Sequence, residues 1–119
     1  MKKTVLLVAL LAAVALAKDP AVCGAVPSDA KDPIRNLSAC LTGLVGACSG
    51  LDKQVFNNSE GKLPAAGKNE TYYEGKVGVD RAGAAGVRRL VFLVLGGEKP
   101  KILHRYFSTD HYTTFCALP

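Results

Sequence analysis

Beyond residue 16 the sequence lacks any apolar run long enough to cross a membrane, which takes about 20 residues. It also lacks a C-x-x-C pair, and neither His104 nor His111 stands at a ligand spacing from a cysteine, which disfavours a zinc module. No internal repeat occurs in the 119 residues. These absences leave one small domain, with no metal centre and no later membrane span.

The N-terminal segment has the composition of a secretory signal peptide. Lys2 and Lys3 precede an unbroken apolar run over residues 5–16, and Ala15 and Ala17 are the small residues that a signal peptidase reads. An uncleaved anchor is the alternative, but the run is short for a span. We therefore expect residues 1–17 to be removed and residues 18–119 to form a single secreted domain.

The charge and the cysteines fit an exported protein. Removal of Lys2 and Lys3 with the leader lowers the formal net charge from +5 to +3. This mild positive charge suits a polyanionic partner, although many secreted proteins carry such a charge for solubility alone. All four cysteines follow the proposed leader, at positions Cys23, Cys40, Cys48 and Cys116. An even number in a short secreted chain predicts two disulfides, for which three connectivities are possible.

One helix is predicted, over residues 32–46. Asp32 can cap its start and Pro33 suits the first helical position. Apolar residues recur there at steps of three and four, at Ile34, Leu37, Leu41, Leu44 and Val45. The preceding residues 18–31 show no periodicity and are expected to form a loose arm.

Short strands separated by turn residues follow the helix. They are predicted at residues 55–56, 72–79, 87–95, 102–107 and 111–118. A helix followed by such strands indicates an α+β fold, with one N-terminal helix packed on a four- to five-stranded antiparallel sheet.

The strand at residues 87–95 begins with two adjacent arginines. Arg88 and Arg89 must point to opposite faces of the sheet, and the apolar pattern does not decide which one is buried. Glu74 on the preceding strand is a natural partner for the buried arginine. The simplest interpretation of a glutamate and an arginine on neighbouring strands is a structural ion pair across the hairpin.

Four blocks of sequence occur in a characteristic order. They read VFNNSEGKLP over 55–64, YYEGKV over 72–77, GVRRLV over 86–91 and RYFSTDHYTTF over 105–115. The chain closely resembles the microbial guanyl-specific ribonucleases, the family of barnase and its bacterial and fungal relatives, over about residues 51–115. The D-H-Y-x-T-F run is the most specific element of this likeness.

The resemblance implies a catalytic role for three residues. Glu74 matches the general base that removes the 2′-hydroxyl proton, and His111 matches the general acid that protonates the departing 5′-oxygen. Arg89 matches the arginine that binds the scissile phosphate. Because RNA carries its own nucleophile, this chemistry needs neither a metal nor a cofactor.

The resemblance also implies a substrate-binding set. Glu60 matches the carboxylate that accepts hydrogen bonds from guanine N1–H and the 2-amino group, and Tyr112 matches a tyrosine that contacts phosphate. The remaining matched residues surround the base, as an aromatic lining or through their backbone, and are Phe56, Asn57, Asn58 and Ser59. The activity implied is cleavage 3′ to guanosine, through a 2′,3′-cyclic phosphate to a 3′-phosphate.

One position departs from the family pattern. Bacterial relatives have a second phosphate-binding arginine four residues before the one matched by Arg89, and this chain has Ala85 there. Its loop carries Arg81 instead, which we include in the expected substrate-binding set. Lys76 and Arg88 are the other cations that would compensate for the missing arginine.

The resemblance bears on disulfides and partners as well. A terminal disulfide in some bacterial relatives implies Cys23–Cys116, which leaves Cys40 to pair with Cys48. The expected partner is single-stranded RNA, with a dedicated acidic protein inhibitor left open, and the protein is expected to be a monomer.

Two alternatives to an active enzyme stay open. The first is a secreted RNA-binding or antimicrobial protein of the same fold, weakened by Ala85. The second is a structural module that kept only the fold. The sequence speaks against it, because a bare scaffold has no need of Glu60, Glu74 and His111 together.

Overall fold

The computed structural model describes residues 19–119, so the predicted signal peptide lies outside the described residues. A short 3-10 turn at Ser28–Ala30 leads into the helix α1 (Lys31–Leu41). The strands are β1 (Gln54–Val55), β2 (Glu70–Lys76), β3 (Arg89–Leu95), β4 (Lys101–Ser108) and β5 (Cys116–Ala117). Among the described residues, no helix is long and apolar enough to cross a membrane.

The five strands form one sheet in sequence order, and every neighbouring pair is antiparallel. In the central hairpin Glu74 lies opposite Val91, and Lys76 lies opposite Arg89. One helix against a five-stranded antiparallel sheet confirms the predicted α+β fold.

One face of the sheet packs against α1 and forms the larger core cluster. The helix contributes Leu37 and Leu41, which are buried together with Ala30. The sheet side contributes Leu90, Phe92 and Val94 of β3, Phe107 of β4, and Val77 just after the end of β2. Apolar spacing in α1 and alternation in β3 place these two sets against each other.

The opposite face is only partly apolar. A second core cluster there contains Leu63, Tyr72, Val91, Leu93 and Tyr106. The same alternation continues along the strands to Glu74, Lys76 and Arg89, so one face carries both a small core and a row of charged residues.

The helix differs from the prediction at both ends. It begins at Lys31 with Ala30 as its N-cap, so Asp32 is not the cap and Pro33 is the third helical residue. It ends at Leu41 and not near residue 46, because the chain turns through Gly43 with φ +87°. Leu44 and Val45 are exposed.

The early helix end lets Cys40 reach Cys48. These two cysteines form a disulfide, and Cys23 forms the other with Cys116. Both implied pairings are therefore confirmed.

The described N-terminal residues do not form a loose arm, so that prediction is wrong. The amide of Ala117 donates to Ala21 (2.8 Å), and the amide of Cys23 donates to Ala117 (2.8 Å). Backbone pairing and the Cys23–Cys116 disulfide hold this segment along β5. The fifth strand is also shorter than predicted, because residues 111–115 form a loop.

Candidate active site

A cleft of about 420 Å³ opens on the face of the sheet opposite α1. Nine of the residues expected at the site line it: Phe56, Asn57, Asn58, Ser59, Glu60, Glu74, Arg89, His111 and Tyr112. Its other lining residues are Val55, Lys62, Lys76 and Phe115. Segments far apart in sequence thus meet in one concave surface.

Glu74 lies half-buried in β2, on the cleft face. One of its oxygens, Oε2, accepts a hydrogen bond of 2.5 Å from the Tyr112 hydroxyl. Burial, together with this hydrogen bond, raises the pKa of Tyr112 to about 12. The hydroxyl therefore stays protonated at neutral pH and acts as a donor to the carboxylate.

Arg89 is the buried member of the arginine pair and is 7% exposed. Its Nη1 donates to the carbonyls of Gly86 (2.6 Å) and Arg88 (2.9 Å). The guanidinium lies 5.9 Å from the centre of the Tyr112 ring, within cation–π range. These contacts fix a positive charge at the floor of the cleft.

The expected ion pair between Arg89 and Glu74 does not form: no ion pair within 4 Å joins them in residues 19–119. Backbone carbonyls accept hydrogen bonds from Arg89 Nη1, and the Tyr112 hydroxyl donates to the Glu74 carboxylate. Arg88 points away from the cleft and binds both carboxylate oxygens of Asp29, at 2.8 and 2.5 Å.

His111 is exposed at the rim of the cleft, in the loop between β4 and β5. Its backbone and that of Tyr112 have φ of +53° and +73°, values uncommon for residues other than glycine. The His111 amide donates to the carbonyl of Val87 (2.9 Å), which ties this strained segment to the loop just before β3.

Hydrogen bonds of side chains hold the His111 loop in its strained conformation. The buried Ser108 hydroxyl accepts from the Tyr112 amide and donates to Asp110, both at 2.9 Å. Asp110 also accepts from the amide (2.9 Å) and the hydroxyl (2.7 Å) of Thr114. The hydroxyl of Thr114 is the first cause that lowers the pKa of Asp110 to about 2. The loop is therefore organised by a carboxylate that is charged at neutral pH.

The loop at residues 57–64 is organised by Asn58. Its side chain donates to the carbonyl of Leu63 (2.8 Å) and accepts from the amide of the same residue (3.1 Å). The backbone turns back through Gly61, whose amide donates to Asn58 (2.9 Å) and whose φ is +65°. Such turns leave exposed backbone and the Glu60 carboxylate at the mouth of the cleft.

Lys62 joins this loop to the His111 loop. Its Nζ donates to the carbonyls of Thr113 (3.1 Å) and Tyr112 (3.4 Å), and it lies 3.3 Å from Glu60 Oε2. Phe56 adds a ring contact, stacked on Tyr112 with centroids 5.2 Å apart. The two loops therefore form one wall of the cleft.

Arg81 is the one expected site residue that the structure does not bring to the cleft. It is exposed in the loop between β2 and β3. The carboxylate of Asp80 accepts from the amides of Ala82 (2.9 Å) and Ala84 (3.0 Å) and closes that loop on itself.

Sequence reasoning gave no site role to Val55, Lys62 and Phe115, and named Lys76 only as an alternative. Alternation in β2 was the available signal for Lys76, because residues two apart in a strand share a face. Lys62 and Phe115 depend on loop conformations that periodicity does not reveal.

The arrangement provides the parts of an acid–base site. A carboxylate and an imidazole share one cleft, and a buried guanidinium between β2 and the His111 loop offers an anion site. In residues 19–119 no three His, Cys, Asp or Glu side chains lie grouped as metal ligands.

A comparison with protein families supports this chemistry. A model of the ribonuclease family matches residues 16–119 of the chain. No curated protein matches it.

Proposed function

Because the chain belongs to the ribonuclease family, we propose that it is a guanyl-specific endoribonuclease that cleaves single-stranded RNA 3′ to guanosine without a metal. The observation that carries this proposal is the common cleft. It is lined by Glu74, Arg89 and His111 and also by Glu60 with residues 57–59.

The first step of the proposed reaction is a transphosphorylation. Glu74 takes the proton of the ribose 2′-hydroxyl, and the 2′-oxygen attacks phosphorus. The bond from phosphorus to the 5′-oxygen breaks, and protonated His111 donates its proton to that oxygen. The products are a 2′,3′-cyclic phosphate and a free 5′-hydroxyl.

The second step is hydrolysis with the roles reversed. His111 takes a proton from water, and the hydroxide oxygen attacks the phosphorus of the cyclic phosphate. The bond from phosphorus to the 2′-oxygen breaks, and Glu74 returns its proton to that oxygen. A 3′-phosphate results. In both steps the buried Arg89 and the Tyr112 hydroxyl are placed to contact the phosphate oxygens, where negative charge increases in the transition state.

Guanine selectivity is assigned to Glu60 in this proposal. Guanine has two adjacent donors on its Watson–Crick edge, N1–H and the 2-amino group, and one carboxylate accepts from both. Glu60 can rotate toward a base because its side chain is 72% exposed and, among the described residues, forms an ion pair only with Lys62. Phe56 and residues 57–59 line the same cleft.

Four dinucleoside phosphates that begin with G, A, C or U test the proposal. We expect the wild type to prefer the guanosine substrate, and Glu60→Gln to lose most of that preference. A donor left without its acceptor costs about 1–3 kcal/mol, which is roughly 5- to 150-fold in kcat/KM.

Glu98→Gln is the matched control, since Glu98 is exposed in the turn before β4 and does not line the cleft. It should leave the preference intact. Equal loss on all four substrates in Glu60→Gln would assign Glu60 to the structure of the loop and contradict its role in base recognition.

Export is a further part of the proposal. Two disulfides in a small domain are typical of an oxidising compartment, and residues 1–17 have the pattern of a signal peptide. N-terminal sequencing of the protein recovered outside the producing cell should begin at Lys18. A start at Met1 would contradict cleavage.

A further inference from the structure

We infer that Lys76 is the second phosphate-binding cation of this site, in place of the arginine that Ala85 does not provide. The inference rests on the proposed ribonuclease function, because it assigns a residue to the substrate of that reaction. It concerns the backbone phosphate of a single-stranded RNA.

The sheet places Lys76 beside the catalytic groups. Lys76 is two residues beyond Glu74 in β2, so both side chains leave the sheet on the same face. It lies directly opposite Arg89 in the register between β2 and β3. Both cations line the same cleft as His111, so a phosphate bound at Arg89 lies within the field of a second positive charge.

The other basic residues near this position are directed elsewhere. Arg88 is held by Asp29 on the helix side of the sheet, and Arg81 does not line the cleft. Lys62 does line it, but this ammonium is engaged by Glu60 and by the carbonyls of the His111 loop. Among the described residues, Lys76 is thus the cation next to Arg89 that faces the cleft.

Asp52 positions the Lys76 ammonium. The two side chains form a hydrogen-bonded ion pair, and the lysine is the main cause that lowers the pKa of Asp52. Asp52 is not a cleft-lining residue. An exposed ion pair of this kind is weak, so an incoming phosphate can compete for the ammonium while the lysine stem remains on the cleft face.

The test compares Lys76→Ala with Lys76→Arg and with the control Lys53→Ala. Lys53 is a near neighbour with the same charge, but it lies over the ring of Tyr73 and does not line the cleft. The substrate is a single-stranded oligonucleotide with one guanosine, and kcat/KM is measured from low to high salt.

We expect Lys76→Ala to lower kcat/KM about tenfold at low salt, a moderate loss because water reaches the cleft. The slope of log kcat/KM against log salt should become shallower by about 0.7, the value for one phosphate contact on a single strand. Lys76→Arg should restore most of the activity. Lys53→Ala should stay within about twofold of wild type, because Lys53 lies outside the cleft and the high dielectric constant of water weakens its field there.

Two results would overturn the inference. One is a Lys76→Ala enzyme with wild-type kcat/KM at low salt, and the other is an equal loss in Lys53→Ala, which would show a general effect of net charge. Binding of inorganic phosphate, measured by titration calorimetry, separates this inference from the proposed function. If the wild type cleaves no RNA, the proposed function fails. If phosphate binding is weaker in Lys76→Ala but not in Lys53→Ala, Lys76 is still a phosphate-binding cation.

Discussion

The two faces of the sheet are built from the same strands but carry different chemistry. On the helix face, β3 contributes Leu90, Phe92 and Val94, which α1 covers completely enough that each is at most 5% exposed. On the cleft face, the same strand begins with Arg89 and continues with Val91 and Leu93. One residue of offset along β3 therefore separates a packed core from a charged site.

The difference shows how a domain of this size supports an active site. The helix face and the two disulfides can supply stability without any contribution from the cleft, so Arg89 can be buried and His111 can adopt a positive φ. Such features cost stability. We expect substitutions on the two faces to separate accordingly, into effects on activity and effects on unfolding.

The largest effect is expected on the cleft face. Glu74→Gln and His111→Gln should each lower kcat by about 10²–10⁴, the range for loss of a general acid or base. The free energy of unfolding should change little, because Glu74 is only half-buried and His111 is exposed. Steady-state kinetics on an RNA substrate and denaturant unfolding measure the two quantities.

Retention of more than about a tenth of the wild-type rate by either variant would contradict its assignment as acid or base. A large loss of stability in both would contradict the separation of the faces.

A complementary effect is expected on the helix face. Phe92 is fully buried in the cluster under α1, and Phe92→Ala should lower the free energy of unfolding by about 3–5 kcal/mol. Urea unfolding measures this loss. The folded fraction of Phe92→Ala at low temperature should keep the wild-type kcat. A kcat that falls along with the stability would show that the cleft depends on packing behind the sheet.

The smallest expected effect is on stability. It arises in the His111 loop, which lines the cleft, and it depends on pH. The pKa of Asp110 is lowered from 3.8 to about 2 in the folded protein, chiefly by the Thr114 hydroxyl. Because the folded value lies below the unfolded value, the carboxylate stabilises the fold above about pH 4, and this contribution is lost as pH falls toward about 2.

Asp110→Asn should therefore be less stable than wild type at neutral pH, and the difference should narrow between about pH 4 and 2. Thermal unfolding across this range measures it. A difference that is constant with pH would show that the charge of Asp110 does not stabilise the loop.

Most of the fold followed from local patterns in the sequence. Alternation along residues 87–95 and the three- and four-residue steps in the helix are properties of single segments, and they predicted the elements and the α+β fold. The ends of the helix were wrong because they depend on other features. The Ser28–Ala30 turn runs directly into α1, and the chain turns at Gly43 before the apolar spacing ends.

The site was less accessible to such reasoning. Strand pairing suggested that Glu74 would bind Arg89, but the carboxylate accepts a hydrogen bond from Tyr112, 38 residues away. The sequence also did not show which of Arg88 and Arg89 is buried on the cleft face. Arg88 binds Asp29, which precedes α1, and this contact leaves Arg89 on the cleft face. The position of Arg81 depends on how Asp80 closes its loop. The first two outcomes follow from contacts between distant segments, which no local pattern records, and the third follows from hydrogen bonds within one loop.

The pH dependence of kcat/KM for cleavage after guanosine shows whether Glu74 and His111 act as base and acid. We expect a bell-shaped profile for the wild type, since the base must be deprotonated and the acid protonated. The residual activity of Glu74→Gln should lose the fall on the acidic side, and that of His111→Gln should lose the fall on the alkaline side. A variant that kept both limbs of the bell would contradict the assignment of that residue.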